Sequence, residues 1–262
     1  MTITLAKNRV DLWLVPIDPN HSDKYSQSEI TNTFSERELV RYHKFKVAGK
    51  RDEFIASRVL LRHLLTLYTD CNPAHIEAIP DEMGRPYWFS GTEKLTLYFS
   101  LSHTKGMVCC TVSNTEKTGC DIEQVRARKY ERDLTRKVFS EKEQSFYQSL
   151  STKEQREFFY KSWTLKEAFV KAIGKGLLIP FTSSSFSHMT QLKKWTTIEG
   201  KNLGKEGAGN CWHFYTAPAH PDYIFSAATT IPEPVITIHQ VTLDGLSLTD
   251  KLSSNILSRQ TA

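Results

Sequence analysis

Trp163-Thr164-Leu165-Lys166-Glu167-Ala168-Phe169-Val170-Lys171-Ala172-Ile173-Gly174-Lys175-Gly176-Leu177 is the stretch on which the reading of this chain turns. It closes a predicted helix over residues 153–173, with Phe158, Ser162, Leu165, Phe169 and Ala172 on one face. Gly174 and Gly176 stop that helix, as glycine does just past a helix end. Glu167 and Lys171 are i,i+4 neighbours, which by itself describes an ordinary surface ion pair. Yet Lys166, Lys171 and Lys175 crowd around one acid beside a glycine-rich exit, a place where a pyrophosphate with its metal could lie.

Upstream lies Gly119-Cys120-Asp121-Ile122-Glu123. In a strand, alternate side chains share a face, so Cys120 and Ile122 point to the core and Asp121 and Glu123 to the other side. Two neighbouring carboxylates repel, and a cation relieves the repulsion. Magnesium suits that position, because it takes hard oxygen ligands and often joins one or two carboxylates to substrate phosphates. A lone D-x-E is equally a solvated strand face. Ser100-Leu101-Ser102-His103 ends another strand and precedes Lys105-Gly106, which reads either as a phosphate-contacting loop or as a structural histidine.

Around these stretches, residues 10–17 are rich in strand formers, and residues 95–101, 107–113 and 120–125 read as further strands. Ser35 with Glu38, and Ser140 with Glu143, are capping-box patterns that open helices, the first over residues 35–46. Residues 52–68 form an amphipathic helix with Phe54, Leu60, Leu61, Leu64, Leu65 and Tyr68 inward. Residues 80–86 read as a turn-rich segment, residues 114–119 as a polar joint between two halves, and the last ~20 residues as weakly ordered.

The 262 residues suffice for one large or two small domains, and 39% hydrophobic with 24% charged residues excludes a disordered chain. A formal net charge of +5 favours anionic partners without choosing among nucleic acid, a phosphate-rich cofactor and an acidic protein. No apolar run is long enough to span a bilayer, and the N-terminus does not read as a signal peptide. Five scattered cysteines without a C-x-x-C pair argue against a disulfide framework or a zinc site. The expectation is a reduced, cytoplasmic protein.

In this order and spacing the stretches resemble the Sfp-type 4′-phosphopantetheinyl transferase family, with its G-x-D-x-E strand and W-x-x-K-E-A/S-x-x-K-x-x-G-x-G-L helix. Phe99–His103, Gly84-Arg85-Pro86 and the segment Arg51 to Arg58 also match. The resemblance runs from about Lys50 to Pro180 and is loose beyond the helix. It implies an α+β fold, a pseudo-dimer of two similar α+β lobes with the active site between them. The lobes expected are residues 1–117, contacting coenzyme A, and 118–262, carrying the metal site and catalytic helix. It implies a monomer that moves the 4′-phosphopantetheine arm of coenzyme A onto a serine of an acidic apo-carrier protein.

The resemblance also implies roles. Asp121, Glu123 and Glu167 hold Mg2+; Glu167 doubles as general base, and Lys171 steadies the phosphates. Arg85, Ser102 and His103 bind coenzyme A, with Arg51, Arg58 and Lys166 as further cofactor contacts, although Arg58 equally suits a structural ion pair. Glu143 is either a helix cap or a second proton-transfer acid. The basic run Arg126, Arg128, Lys129, Arg132, Arg136 and Lys137 is a solvated face or a landing surface for the carrier. Competing classes are a metal-dependent phosphohydrolase, a non-catalytic carrier-protein binder and a nucleic-acid binder. The last predicts exposed aromatics among the basic residues, whereas aromatics here fall at core spacing.

Overall fold

In the computed structural model, which describes residues 2–19, 21–72, 76–127, 131–187, 189, 193–220, 222–244 and 246–249, strand formers extend Arg9–Pro16 into β1. Three helices follow: α1 (Gln27–Thr33), α2 (Glu36–Lys44) and α3 (Ala48–Tyr68). A small sheet of β2 (Ile76–Pro80), β3 (Pro86–Ser90) and β4 (Glu93–Lys94) precedes the hairpin β5 (Tyr98–Thr104) and β6 (Met107–Ser113). Then come β7 (Thr118–Gln124), α4 (Glu131–Val138), α5 (Glu141–Ser149) and α6 (Thr152–Ile173). The described chain ends with β8 (Thr196–Glu199), β9 (Cys211–His220), β10 (Tyr223–Thr229), β11 (Val235–Gln240), β12 (Thr242–Asp244) and β13 (Ser247–Thr249).

The strand pairing contains a repeat that the sequence does not display. One sheet runs β11-β1-β6-β5 and the other β7-β10-β9-β8. In each, the first strand of a segment pairs antiparallel with the last, which is the hairpin partner of the one before it: β1-β6-β5 and β7-β10-β9. A long helix, α3 or α6, lies between them in the chain. Of the expected polar joint, residues 114–117 link β6 to β7, while Thr118 and Gly119 already belong to β7. Val235–Gln240 then crosses back and pairs parallel with β1, so the segment past residue 118 also adds a strand to the first sheet.

Burial follows from stacking. One face of the first sheet, with Trp13, Val15, Val108 and Val112, packs on Ala56, Leu60 and Leu64 of α3. Its other face, with Leu12, Leu14 and Cys109, meets Cys120, Ile122, Phe225 and Ala227 of the second sheet. The far face of the second sheet, with Phe214 and Ala228, packs on Leu165, Phe169 and Ala172 of α6. The layers are therefore helix, sheet, sheet, helix, and β6 is buried at every position. Strands covered on both faces lose the polar alternation of a half-exposed sheet.

The capping boxes expected at Ser35/Glu38 and Ser140/Glu143 both form. Ser26/Glu29 forms another and opens α1, an element outside the expected set. His103 and Thr104 belong to β5 rather than to a loop, because the hairpin turn is only Lys105-Gly106, with Gly106 at φ +83°. Arg128 and Lys129 of the basic run, and residues 250–262 at the end of the chain, lie outside the described residues. Among the described residues, no helix is long and apolar enough to cross a membrane.

At Gly119, β7 presses directly on α6. A Cβ there would strike the Ala168 carbonyl and come within 2.6 Å of the Ala172 nitrogen, both helix backbone. Gly119→Ala must therefore push α6 off the second sheet, and overpacking of this kind costs roughly 1–3 kcal/mol. Chemical denaturation should show that loss; a variant as stable as the parent would contradict the close approach.

Candidate active site between the sheets

The edge strands β5 and β7 meet where the two sheets face each other. Ser100 Oγ accepts from the Cys120 amide at 3.1 Å, and Ser102 Oγ donates to Asp121 Oδ1 at 2.6 Å. From the other side, α6 brings Lys171, whose Nζ donates to the same Oδ1 at 2.7 Å. Asp121 is 5% exposed, and its second oxygen, Oδ2, is buried with no hydrogen-bond partner. Buried polar atoms are nearly always paired, so an orphaned carboxylate oxygen marks a place for a cation or a donor from outside the chain.

Glu167 lies one turn before Lys171. Burial raises its carboxyl pKa, Lys171 pulls it down in part, and the nearby acids Asp121 and Glu123 raise it again. Burial works against the Lys171 ammonium, but Asp121 above all, then Cys120 and Glu167, hold its pKa well above the ordinary lysine value. Thr104 Oγ1 lies 3.5 Å from Glu123 Oε2. Asp121, Glu123 and Glu167 are thus electrostatic neighbours. They do not form a closed ligand set: among the described residues, no three His, Cys, Asp or Glu side chains stand close enough to hold a metal ion.

Two clefts flank this group. One, of about 290 Å³, is lined by Glu167, Lys171, Arg85, Pro86, Gly174 and Gly176. The other, of about 730 Å³, is lined by Glu123 with Lys50, Glu53, His103, Lys105 and Arg126. Arg85 donates to the carbonyls of Ala172 at 3.1 Å and Thr118 at 3.3 Å, and to that of Glu116. It therefore ties the end of α6 to the β6–β7 joint while lining the cleft. His103 Nδ1 lies 2.7 Å from Glu53 Oε2, which also accepts from Lys50 Nζ at 2.7 Å. Burial alone would raise the Glu53 carboxyl pKa, and the His103 and Lys50 hydrogen bonds more than reverse this. Sequence alone does not single out Glu53 or Lys50, although Glu53 sits inside the matched segment Arg51 to Arg58.

Several expected cofactor contacts lie elsewhere. The Lys166 ammonium is enclosed: it donates to the carbonyls of Phe181 at 2.6 Å and Ser184 at 2.5 Å and pairs with Glu143 at 2.7 Å. An ammonium has three N–H donors, so none remains for a phosphate. Glu143 in turn closes the Ser140 cap and accepts from the Phe186 amide at 2.9 Å, which makes it structural. Arg58 stacks over Phe54 at 5.5 Å and faces Glu38 at 4.0 Å, between α2 and α3. Burial lowers its pKa to about 10, with Glu38 opposing. Neither Arg58 nor Arg51 lines either cleft. Lys175 pairs with Glu206 at 2.5 Å.

Removing one partner of a buried ion pair strands the other. Lys166→Met should therefore cost roughly 3–5 kcal/mol of stability. Thermal or chemical denaturation checks this, and an unperturbed midpoint would mean that Glu143 has other means of satisfaction.

Comparison with known proteins agrees with this geometry. The family model described as "4'-phosphopantetheinyl transferase superfamily" matches residues 117–228, which hold β7 and α6. The 4′-phosphopantetheinyl transferase HetI of Nostoc sp. is 28% identical over 203 residues, covering 75% of this chain and 84% of that protein. The 4′-phosphopantetheinyl transferase gsp of Aneurinibacillus migulanus is 28% identical over 168 residues, 63% of this chain and 66% of its own length. The 4′-phosphopantetheinyl transferase AcpT of Escherichia coli is 34% identical over 125 residues, 48% of this chain and 59% of its own. Asp121 and Glu123 on the strand and Glu167 and Lys171 on the helix fall within the segment over which the chain is similar to the 4′-phosphopantetheinyl transferase superfamily.

Proposed function

We propose that this protein transfers the 4′-phosphopantetheine group of coenzyme A to a serine hydroxyl of an apo-carrier protein, releasing 3′,5′-ADP. The observation that carries the reading is the Asp121 carboxylate. One oxygen is held by Ser102 and Lys171, and the other is buried without a partner beside Glu167, whose pKa is raised. That is the donor set expected next to a phosphate-bound cation. Asp121, Glu123 and Glu167 would hold Mg2+, with substrate phosphates filling the positions that the three acids leave open. When bound, the metal supplies Lewis-acid polarisation and orientation of the pyrophosphate.

The chain's own residues then divide the work. Lys171 stays charged and faces Asp121, where it can balance the negative charge that grows on the departing 3′,5′-ADP. Glu167 takes the proton of the carrier serine, directly or through a water, and its raised pKa makes it a better base than a solvated glutamate. Ser102 positions Asp121. Arg85 and His103, in the two flanking clefts, contact coenzyme A phosphates or its adenine. The protein acts as a cytoplasmic monomer, with its active site between lobes 1–117 and 118–262, the second sending β11 back to the first. Arg126, Arg136 and Lys137 meet an acidic carrier, acting mainly on encounter rate.

Purified protein mixed with coenzyme A, magnesium and a panel of apo-carriers should add the arm's mass to a carrier, read by mass spectrometry. Excess chelator should abolish the addition, and Asp121→Asn, which keeps the size of the side chain and an oxygen for Ser102 and Lys171, should do so while remaining folded. Full turnover in chelator would contradict the role of the three acids. Glu167→Gln keeps size and a ligand oxygen but loses basicity, so transfer should slow at least about a hundredfold, a usual scale for acid–base catalysis. Near-normal single-turnover rates from a saturated complex would leave Glu167 as a ligand only.

A further inference from the structure

Two lysines on α6 are buried, and the protein treats them differently. Lys166 has all three of its donors taken by Glu143 and two carbonyls. Lys161 is 9% exposed, and its ammonium has no hydrogen bond or ion pair among the described residues. Burial alone acts on its ammonium, pulling the pKa down to about 8. Lys166, wholly enclosed, has acquired three partners, whereas the mostly buried Lys161 side chain ends at a cleft and its ammonium has none within the chain.

Lys161 opens into a cleft of about 420 Å³, separate from both clefts around Glu167. Its walls are largely apolar: Phe146 of α5, Leu150 just after it, Phe158 of α6, Met189 and Ile224 of β10. The size and the small number of charged groups among many apolar ones are those of a small-molecule site. The titratable groups facing the ammonium across this cleft are Glu154 and Glu157 from α6 and Tyr223 from β10. Both glutamates are exposed, and Glu154 is engaged by the Ser151 cap. Two acids near the mouth disfavour a polyphosphate and tolerate a single negative charge that reaches past them. The apolar walls favour a body of hydrocarbon or aromatic character.

We propose that this cleft binds a monocarboxylate with an apolar tail, the carboxylate on Lys161 Nζ and the tail among Phe146, Leu150, Met189 and Ile224. The site is independent of the phosphate-handling group at Asp121 and does not rest on the transfer reaction.

Octanoate is a suitable probe, with octanol and octylammonium as controls of equal tail length and acetate as the control without a tail. Calorimetry on the whole chain near neutral pH should show saturable binding of one octanoate. Octanol should bind at least about tenfold more weakly, as expected on losing a hydrogen bond to a charged group. Octylammonium and acetate should not bind measurably. Octanoate affinity should fall as pH rises past about 8, where Lys161 loses its proton. Lys161→Met should weaken octanoate by about tenfold or more while melting no lower than the parent, because the ammonium makes no hydrogen bond or ion pair whose loss would strand a partner. No saturable octanoate binding, equal binding of octanol, or undiminished binding to Lys161→Met would each overturn the proposal. If that variant does not fold, the parent's melting temperature decides: octanoate must raise it and octanol must raise it less.

Discussion

One carboxylate joins three layers of this molecule. Asp121 extends from the second sheet, takes a hydrogen bond from Ser102 on the first, and takes another from Lys171 on the helix that covers the second. A carboxylate at 5% exposure is tolerable only with such partners, so the two sheets and α6 must stay in register around it. The same placement leaves one oxygen unspent. Structural demand and chemical readiness thus come from a single side chain.

That arrangement depends on tight layering. Both sheets are covered on both faces, so the junction between β5 and β7 is packed by side chains and meets water only at the two flanking clefts. Low local polarity is what raises the Glu167 carboxyl pKa and makes the Lys171–Asp121 pair matter. Gly119 allows α6 to approach closely enough for Lys171 to reach Asp121. Arg85 pins the far end of the same helix through the Ala172 carbonyl, next to the left-handed Gly174. The helix carrying both Glu167 and Lys171 is therefore held along its last two turns, at Ala168 and Ala172.

What the sequence made legible was local. The Ser140/Glu143 cap and the alternation of Cys120 and Ile122 against Asp121 and Glu123 are patterns within a few residues, and they appear as read. Ser26/Glu29 carried the same cap signal, and it was lost because α1 is only seven residues long and has one buried side chain, Ile30. The crowd of lysines misled for a geometric reason. At 3.6 residues per turn, Lys171 lies about 40° around the helix from Glu167 but about 140° from Lys166. Lys166 therefore meets Glu143 of another helix, and Arg58 meets Glu38, in pairings between distant segments that no short window reveals. Similarly, a parallel return of β11 to β1 depends on packing across most of the chain.

The central claim is that the free oxygen of Asp121 faces the cation carried by the cofactor's phosphates. The most direct measurement is a crystal structure of the protein with coenzyme A and Mn2+, located by its anomalous scattering. The expected result is a peak at coordination distance from Asp121 Oδ2 with Lys171 still on Oδ1. Phosphates bound in the cleft with the metal absent from Asp121, or seated only on other side chains, would contradict it.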